Sequence, residues 1–470
     1  MKNMSEYITP RVLKGFRDYL PQLEIKRQVL TETLRSTFRR YGFIPIDTPA
    51  LEYTEVLLRK SDGETEKQMF RFTDNGGRDV ALRFDLTVPL ARFIAEHKNE
   101  LLFPFKRYHI APVWRGEKPQ AGRFREFIQC DFDIVGVDNS ESDYEVIHLI
   151  AESFIAMNIQ EISIHISHRG LFNRFLEILN IREKSEAILR TVDKLAKIGK
   201  GEVARLLSEL CSKEKAERIL DFITIGKSES SNDKPLGFLE AVEKIEALTQ
   251  GVSPESTRLR EVYALLEATG KQNFVVFDPS ITRGLDYYTG IVFETFLDKL
   301  PDIGSVCSGG RYNNLAHLYT KEHVPGVGAS IGLDRLIAAT EQLHILTDRT
   351  CFTKALIFYE SGLSSTLMYT LANFLTKHGA PTEVFSENKK ITAQYAWAEA
   401  KGIPYGIFLT EAFEPNIDLN TLSISVKNLL TREQTSMLVS EFLLKVIGAQ
   451  LNVKSSESSL SEFLLKVIET

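Results

Sequence analysis

Cysteine is scarce and scattered: Cys130, Cys211, Cys307 and Cys351 are the only four in 470 residues, and no two stand at a paired spacing. Neither a disulfide framework nor a tetrahedral zinc site can be read from that pattern, and a reducing, cytoplasmic setting is the simplest expectation. Long apolar runs are missing too. No stretch reaches the roughly 18 residues a membrane helix needs, and the opening MKNMSEYITP has no apolar secretion core, so no membrane association is expected. The net charge of −6 lacks the basic excess of a dedicated nucleic-acid binder, so any RNA contact has to be a local patch. The nine histidines are dispersed, and there is no metal-ligand cluster, Ser-His-Asp series or GxxxxGK[ST] phosphate loop. Acid–base hydrolysis and P-loop chemistry therefore fit poorly. What the chain does hold is arginines, carboxylates and aromatics set into apolar strands. That is the equipment for stabilising charge during phosphoryl or nucleotidyl transfer.

With 43% apolar and 26% charged residues, the composition is that of a globular protein, and the length calls for two or three domains. Val29, Leu30, Leu34 and Phe38 recur at helical spacing between Glu24 and Tyr41, and Gly42 ends that helix. FIPI follows, with Pro45 and Pro49 confining any strand to an edge or an end. Asp79 to Val137 reads as β: DVALRFDLT, then PFKRYHIAPVWR and RFREFIQCDFDIVG as a long antiparallel hairpin about a mobile GEKPQAG tip. Residues 171–269 turn rich in Glu, Lys, Leu and Ile and read as a helical insertion between core segments 1–170 and 270–345. Residues 352–447 alternate β and α units, implying a small, largely parallel sheet covered by helices. The tail, 448–470, carries a second copy of SEFLLKVI, at 461–468 after 440–447, to which no function is assigned.

Four segments could carry chemistry. In VWRGEKPQAGRFREFIQCDFDIVG, Arg115 and Glu117 alternate on one strand, and Arg123, Arg125, Phe127, Gln129, Asp131 and Asp133 on its partner. Cross-strand ion pairs on a solvated face are the plain alternative, but a phenylalanine and an amide among the charges suit nucleotide stacking. In RGLDYYTGIVFE, Arg283 precedes Gly284, and Tyr287 and Tyr288 point to opposite faces if extended; core tyrosines with wet hydroxyls would read the same way. PGVGASIGLDRLIAA gives a glycine-rich strand and then a helix with Arg335 in its first turns, suited to close packing or to a cation aimed at phosphate. In ALRFDLTVPLAR, Asp85 and Thr87 alternate along a half-buried strand, where a carboxylate needs a partner such as Arg83 or Arg92, or a cationic ligand.

Taken in order, these segments resemble the motifs of class II aminoacyl-tRNA synthetases, and specifically the histidyl family. KGFRDYLP (14–21) and YGFIPIDTPALE with Pro49 resemble motif 1, VWRGE through Phe127 motif 2, and GVGASIGLDR with Arg335 motif 3. RGLDYYTG and SGGRYNNL (308–315) resemble the histidine-specific elements. The likeness spans about residues 10–447, and LRFDLTVPLAR and QCDFDIVG have the eukaryotic-type wording.

The resemblance implies an α+β catalytic domain built on an antiparallel sheet flanked by helices, with a helical insertion and a C-terminal α/β anticodon-binding domain. It implies a homodimeric ligase that uses ATP and Mg²⁺ to activate L-histidine and load it on tRNA(His), with no protein-caged metal. Arg115 then bridges the α-phosphate and the histidine carboxylate, with Arg283 beside it and Gln129 also in the catalytic set. Phe127 and Arg335 sandwich adenine, Glu117 holds its amino group, and Arg123 takes the outer phosphates. Asp85, Thr87 and Gln129 hold the α-amino group, and Leu86 is also in the histidine-binding set. Asp133 and Tyr288 contact the imidazole nitrogens, while Tyr287 and Tyr312 line the pocket. Lys118 and Gln120 face the acceptor end of the RNA. The competing expectations are an inactive regulatory paralogue, which tends to lose catalytic arginines or the C-terminal domain, and a synthetase for another amino acid.

Overall fold

The computed structural model describes residues 7–58, 63–118, 122–226, 236–281, 288–314, 317, 319–343, 345, 350–360, 362–409 and 418–451. They divide into two units, one reaching to Asp18 and from Arg27 to Leu346, the other made of Tyr19–Lys26 and the chain from Thr347 onward.

The first unit is built on an eight-stranded sheet. Its strands are β1 (Ile44–Pro45), β2 (Phe105–Trp114), β3 (Glu126–Val135), β4 (Ile162–His168), β5 (Val275–Phe277), β6 (Ile291–Leu297), β7 (Cys307–Arg311) and β8 (Gly326–Gly332). Their spatial order is β1-β2-β3-β8-β7-β6-β4-β5. Every pairing is antiparallel except the outermost ones, β1 with β2 and β4 with β5. The prolines of FIPI leave room only for a two-residue edge strand, as their missing N–H groups require.

The 3.6-residue periodicity of helix Pro21–Arg40 buries Leu30, Leu34 and Phe38 and leaves Val29 exposed. Phe38 packs on the even-numbered face of the hairpin, 5.6 Å from the Tyr108 ring and 4.9 Å from Phe132. That face is core, so the odd-numbered face of β2 and β3 is turned the other way, toward the cleft described below. Between β4 and β5, six α-helices lie among the described residues, from Arg169 to Ala268.

One sequence expectation is corrected here. The strand Asp79–Leu82, which pairs with Leu51–Tyr53 and Arg71–Thr73, ends before Asp85, and Thr87–His97 is a helix. Apolar residues at 90, 91 and 94 follow helical rather than alternating spacing, and Pro89 is tolerated in the first turn. Asp85 Oδ1 accepts the backbone N–H groups of Thr87 (3.2 Å) and Val88 (2.9 Å), satisfying donors that a helix start leaves open. Asp85, Leu86 and Thr87 are thus the entrance to a helix, and Arg83 and Arg92 bind elsewhere, at Thr48 and Pro112 carbonyls and at Glu52 and Glu96.

The second unit holds β9 (Ala355–Ile357), β10 (Thr382–Val384), β11 (Tyr405–Leu409), β12 (Ser423–Asn428) and β13 (Gln434–Leu438), in the order β10-β9-β11-β12-β13. Only the first three strands are parallel. SISVKN and QTSML add two antiparallel strands, because a short reversal such as 429–433 can join only antiparallel neighbours. The first SEFLLKVI copy forms helix Val439–Leu451 and buries Phe442, Leu443 and Val446 against Ile407 and Ile424. The second copy lies outside the described residues.

A buried ion network joins helix Pro254–Ala268 to β7. Asp143 accepts from Arg258 (2.5 Å) and from Arg311 (2.9 Å), and both Asp143 and Arg311 are essentially buried. Arg311→Met leaves carboxylates without their deepest cation and is expected to cost roughly 3–5 kcal/mol, read as a drop in unfolding midpoint. A change under about 1 kcal/mol would mean that Arg258 alone compensates Asp143.

Candidate active site

Successive odd residues of β3 stand about 6.7 Å apart on one face, so Phe127, Gln129, Asp131 and Asp133 form a line about 20 Å long. Across β2 they face Val113, Ala111, His109 and Arg107; across β8, Gln129, Asp131 and Asp133 face Gly332, Ser330 and Gly328. Over this face lies a cleft of about 330 Å³. The glycines of β8 make its width. A Cβ on Gly328 would stand 1.9 Å from Asp133 Oδ1, and one on Gly326 would stand 2.4 Å from the Tyr312 ring. These glycines serve close approach, as the sequence allowed.

One end of the cleft is acidic. Arg107 is fully buried, with Nη2 2.6 Å from Asp133 Oδ2, while the Tyr312 hydroxyl donates to Asp133 Oδ1. Asp85 and Asp131 are buried beside this pair. Burial raises the pKa of all three carboxylates, and Arg107 opposes the rise in each. Asp131, with Asp133 and Asp85 adding to the effect, reaches about 7. Burial and the neighbouring Asp133 push the Tyr312 phenol well up, so it stays a donor. Thr87 and Tyr288 line the same region, and Gln129 Nε2 donates to Ser330 Oγ at 2.8 Å.

The other end is cationic. Arg115 donates from Nε to the Phe84 carbonyl (3.1 Å), and its guanidinium lies 4.5 Å from the Phe84 ring centre and 5.1 Å from that of Phe127. Arg335 donates to the Ser305 carbonyl and lines the cleft with Arg123 and Glu117. Asp334 fixes this corner: it pairs with Arg17 (2.5 Å) and accepts the Ile128 N–H (2.8 Å). Arg17 in turn stacks 3.9 Å from the Phe124 ring centre. Lys118 is exposed just beyond Glu117.

Of the residues singled out from sequence, Asp85, Thr87, Arg115, Glu117, Arg123, Phe127, Gln129, Asp133, Tyr288, Tyr312 and Arg335 line this one cleft. Leu86 does not; it is fully buried against Ala111, Val113 and Phe127 on the same odd-numbered face. Arg283, Tyr287 and Gln120 lie outside the described residues.

A family model described as Histidyl-tRNA synthetase matches residues 15–336, which takes in every cleft residue. The chain belongs to the histidyl-tRNA synthetase family. A Histidine–tRNA ligase of Treponema denticola is 57% identical over 407 residues, covering 86% of this chain and 90% of that one. A Histidine–tRNA ligase of Rhodopirellula baltica is 44% identical over 431 residues, covering 91% and 95%. The crystal structure of histidyl-tRNA synthetase from Nostoc sp. PCC 7120 aligns with a TM-score of 0.77 at 30% identity, over 94% of this chain and 99% of that one.

In this histidyl-tRNA synthetase family member, reading the sequence alone missed Arg107, His109 and Glu294. Arg107 and His109 were visible as the odd residues of PFKRYHIAPVWR, but nothing set their register against Asp133 and Asp131. His109, held 2.9 Å from Asp47 Oδ1, is pushed down to about 4, chiefly by burial and then by Arg107, and stays neutral. Glu294 lines the cleft from β6, opposite Ser308.

The raised pKa of Asp131 gives a stability prediction with a definite sign. Between the ordinary carboxylate value and about 7 the folded chain binds a proton that the unfolded chain has lost. This contribution is complete at low pH and disappears as pH rises through about 7. The ligand-free protein is therefore expected to lose thermal stability from about pH 5 to pH 7.5, and Asp131→Asn to flatten that slope. Equal slopes in the two proteins would contradict the assignment.

Proposed function

We propose that the chain is a histidine–tRNA ligase. The histidine carboxylate attacks the α-phosphorus of ATP, forming histidyl-adenylate and releasing pyrophosphate. A ribose hydroxyl at the 3′ end of tRNA(His) then attacks the acyl carbon, taking the histidyl group and releasing AMP. The observation that carries this reading is the polarity of the cleft. Arg115, Arg123 and Arg335 border one end, and three buried carboxylates occupy the other. A zwitterionic amino acid laid along β3 would put its cationic groups over the carboxylates and its own carboxylate toward the arginines, where the nucleotide phosphates also belong.

In this reading Arg115 bridges the α-phosphate and the substrate carboxylate, with Arg283 beside it. Attack joins two anions, so fixed cations offset the repulsion and the charge that grows in the transition state. Phe127 and Arg335 enclose the adenine, Glu117 takes its amino group, and Arg123 the outer phosphates. Asp85, Thr87 and Gln129 hold the substrate ammonium. Asp133, with Tyr312 donating to it, and Tyr288 take the two imidazole nitrogens, while Tyr287 completes the pocket. Imidazole alone among side chains offers a ring donor and acceptor on opposite edges, so polar groups at both would reject analogues lacking either by roughly 10⁴-fold.

Mg²⁺ enters as the ATP complex. Among the described residues no three-ligand cluster could cage it, so phosphate oxygens would supply most of its ligands. Lys118 and Gln120 meet the acceptor end of the RNA, and the C-terminal unit binds the anticodon. The working form is a cytoplasmic homodimer.

The direct test is histidine-dependent exchange of labelled pyrophosphate into ATP, followed by charging of tRNA(His) against the other amino acids. Folded protein without exchange, or a better substrate than histidine, would overturn the reading. Arg115→Ala is expected to slow exchange by about 10²–10³-fold with secondary structure unchanged. Near-normal exchange would make Arg115 a structural residue, held at Phe84 and Phe127.

A further inference from the structure

Asp131 is a deeply buried carboxylate of the cleft to which the proposed mechanism gives no task. It is 2% exposed, yet its Oδ1 has no hydrogen-bond partner among the described residues. Two positions along β3, Gln129 Oε1 is buried and likewise without a partner among the described residues. The two side chains meet at Ser330, which stands opposite Asp131 in register. Gln129 Nε2 donates to Ser330 Oγ at 2.8 Å, and Ser330 is hydrogen-bonded to Asp131.

That chain of contacts has one consistent polarity. An ionised Asp131 can only accept, so Ser330 gives it the hydroxyl proton and must itself accept from the amide nitrogen of Gln129. The Gln129 nitrogen is thereby turned to Ser330, which leaves its oxygen, like Asp131 Oδ1, a buried acceptor without a partner among the described residues. Both residues line the cleft.

Buried acceptors left open are costly, and a ligand with several N–H groups and a positive charge removes the cost. Asp85 is less free for that task, because its Oδ1 already receives the Thr87 and Val88 N–H groups. The groups facing Asp131 leave the same deficit. Arg107 and neutral His109 stand on β2, Asp133 and Cys130 on β3 itself, and Ser330 on β8. Cys307 lies on β7, Glu294 on β6, and Arg83 and Asp85 precede helix Thr87–His97. Arg107 acts on all three carboxylates, and it is paired to Asp133.

We propose that Asp131 is a further substrate-binding residue, forming with Gln129 Oε1 a two-acceptor clamp for the α-ammonium group of the bound amino acid. This rests on the synthetase reading. It places the ammonium between the ring pocket at Asp133 and the arginines, over the middle of the β3 line. Binding then favours the ionised form of Asp131, so the clamp tightens as pH rises through neutrality.

Asp131→Asn keeps the shape and removes the charge. In histidine-dependent pyrophosphate exchange it is expected to raise KM for histidine about 10- to 100-fold while KM for ATP changes by less than about 2-fold. Imidazolepropionate, which keeps the ring and carboxylate but lacks the ammonium, should inhibit variant and parent equally. Equal weakening of histidine and imidazolepropionate, or no change in KM for histidine, would overturn the clamp. A second measurement needs only the unaltered protein: the preference for histidine over imidazolepropionate should grow from pH 6 to pH 8, and a flat preference overturns it. Absence of any histidine-dependent exchange by the unaltered protein would instead count against the synthetase reading itself.

Discussion

The contact on which the rest of the cleft depends is the buried pair between Arg107 and Asp133, 2.6 Å apart on neighbouring strands. An arginine with no exposed surface is tolerated only where its lost hydration is compensated. Here the compensation is ionic, from a set of three carboxylates that burial would otherwise drive to their neutral forms, since the guanidinium nitrogens have no hydrogen-bond partner among the described residues. Each side needs the other. Without Arg107 the acidic end of the cleft would take up protons; without the carboxylates the guanidinium would have no reason to lie inside. The glycines of β8 follow from the same pair, since Asp133 occupies the space a side chain at 328 would need. Tyr312, seated against Gly326, fixes the remaining oxygen.

This dependence also explains what could be read from the sequence and what could not. Hydrophobic period alone gave the long first helix, because Leu30, Leu34 and Phe38 face one core. The hairpin was legible from two β-rich runs about a polar turn, and the clustering of Phe127, Gln129 and Asp133 from simple alternation. The partner of that acidic line was not. Both faces of PFKRYHIAPVWR carry polar residues, so alternation does not say which face meets Asp133, and only the register of Arg107 against it does. Asp85 was misplaced on a strand because DLTVPLA alternates over a short window, while the helical period shows only once Ile94 is included. The mixed C-terminal sheet has a similar cause. SISVKN and QTSML are short and half-exposed, and the alternation of earlier units overrode them.

The two ends of the cleft are held to their separation by covalent geometry. From Phe127 to Asp133 the backbone is continuous strand, so the distance between aromatic plate and buried carboxylate is fixed by pleat spacing rather than by side-chain choice. Flexibility enters only through the groups that border the line. Arg335 sits on a helix whose start is anchored by Asp334 to both Arg17 and the Ile128 N–H, so two other segments move with it. A guanidinium positioned this way loses less rotamer freedom on meeting an anion than an untethered one would.

Charge balance then becomes the constraint linking the ends. The acidic end carries more potential negative charge than Arg107 can offset, and Arg115 opposes the rise in the Asp85 pKa from the direction of the cationic end. Under the proposed reading, a bound zwitterion completes both halves at once: its ammonium lowers the cost of ionising the buried carboxylates, and its carboxylate occupies arginines that also await phosphate. A ligand with only one of those groups would satisfy one end and leave the other strained. Discrimination for an intact amino acid therefore arises from the shortage of cations beneath β3, before any contact with the ring is considered.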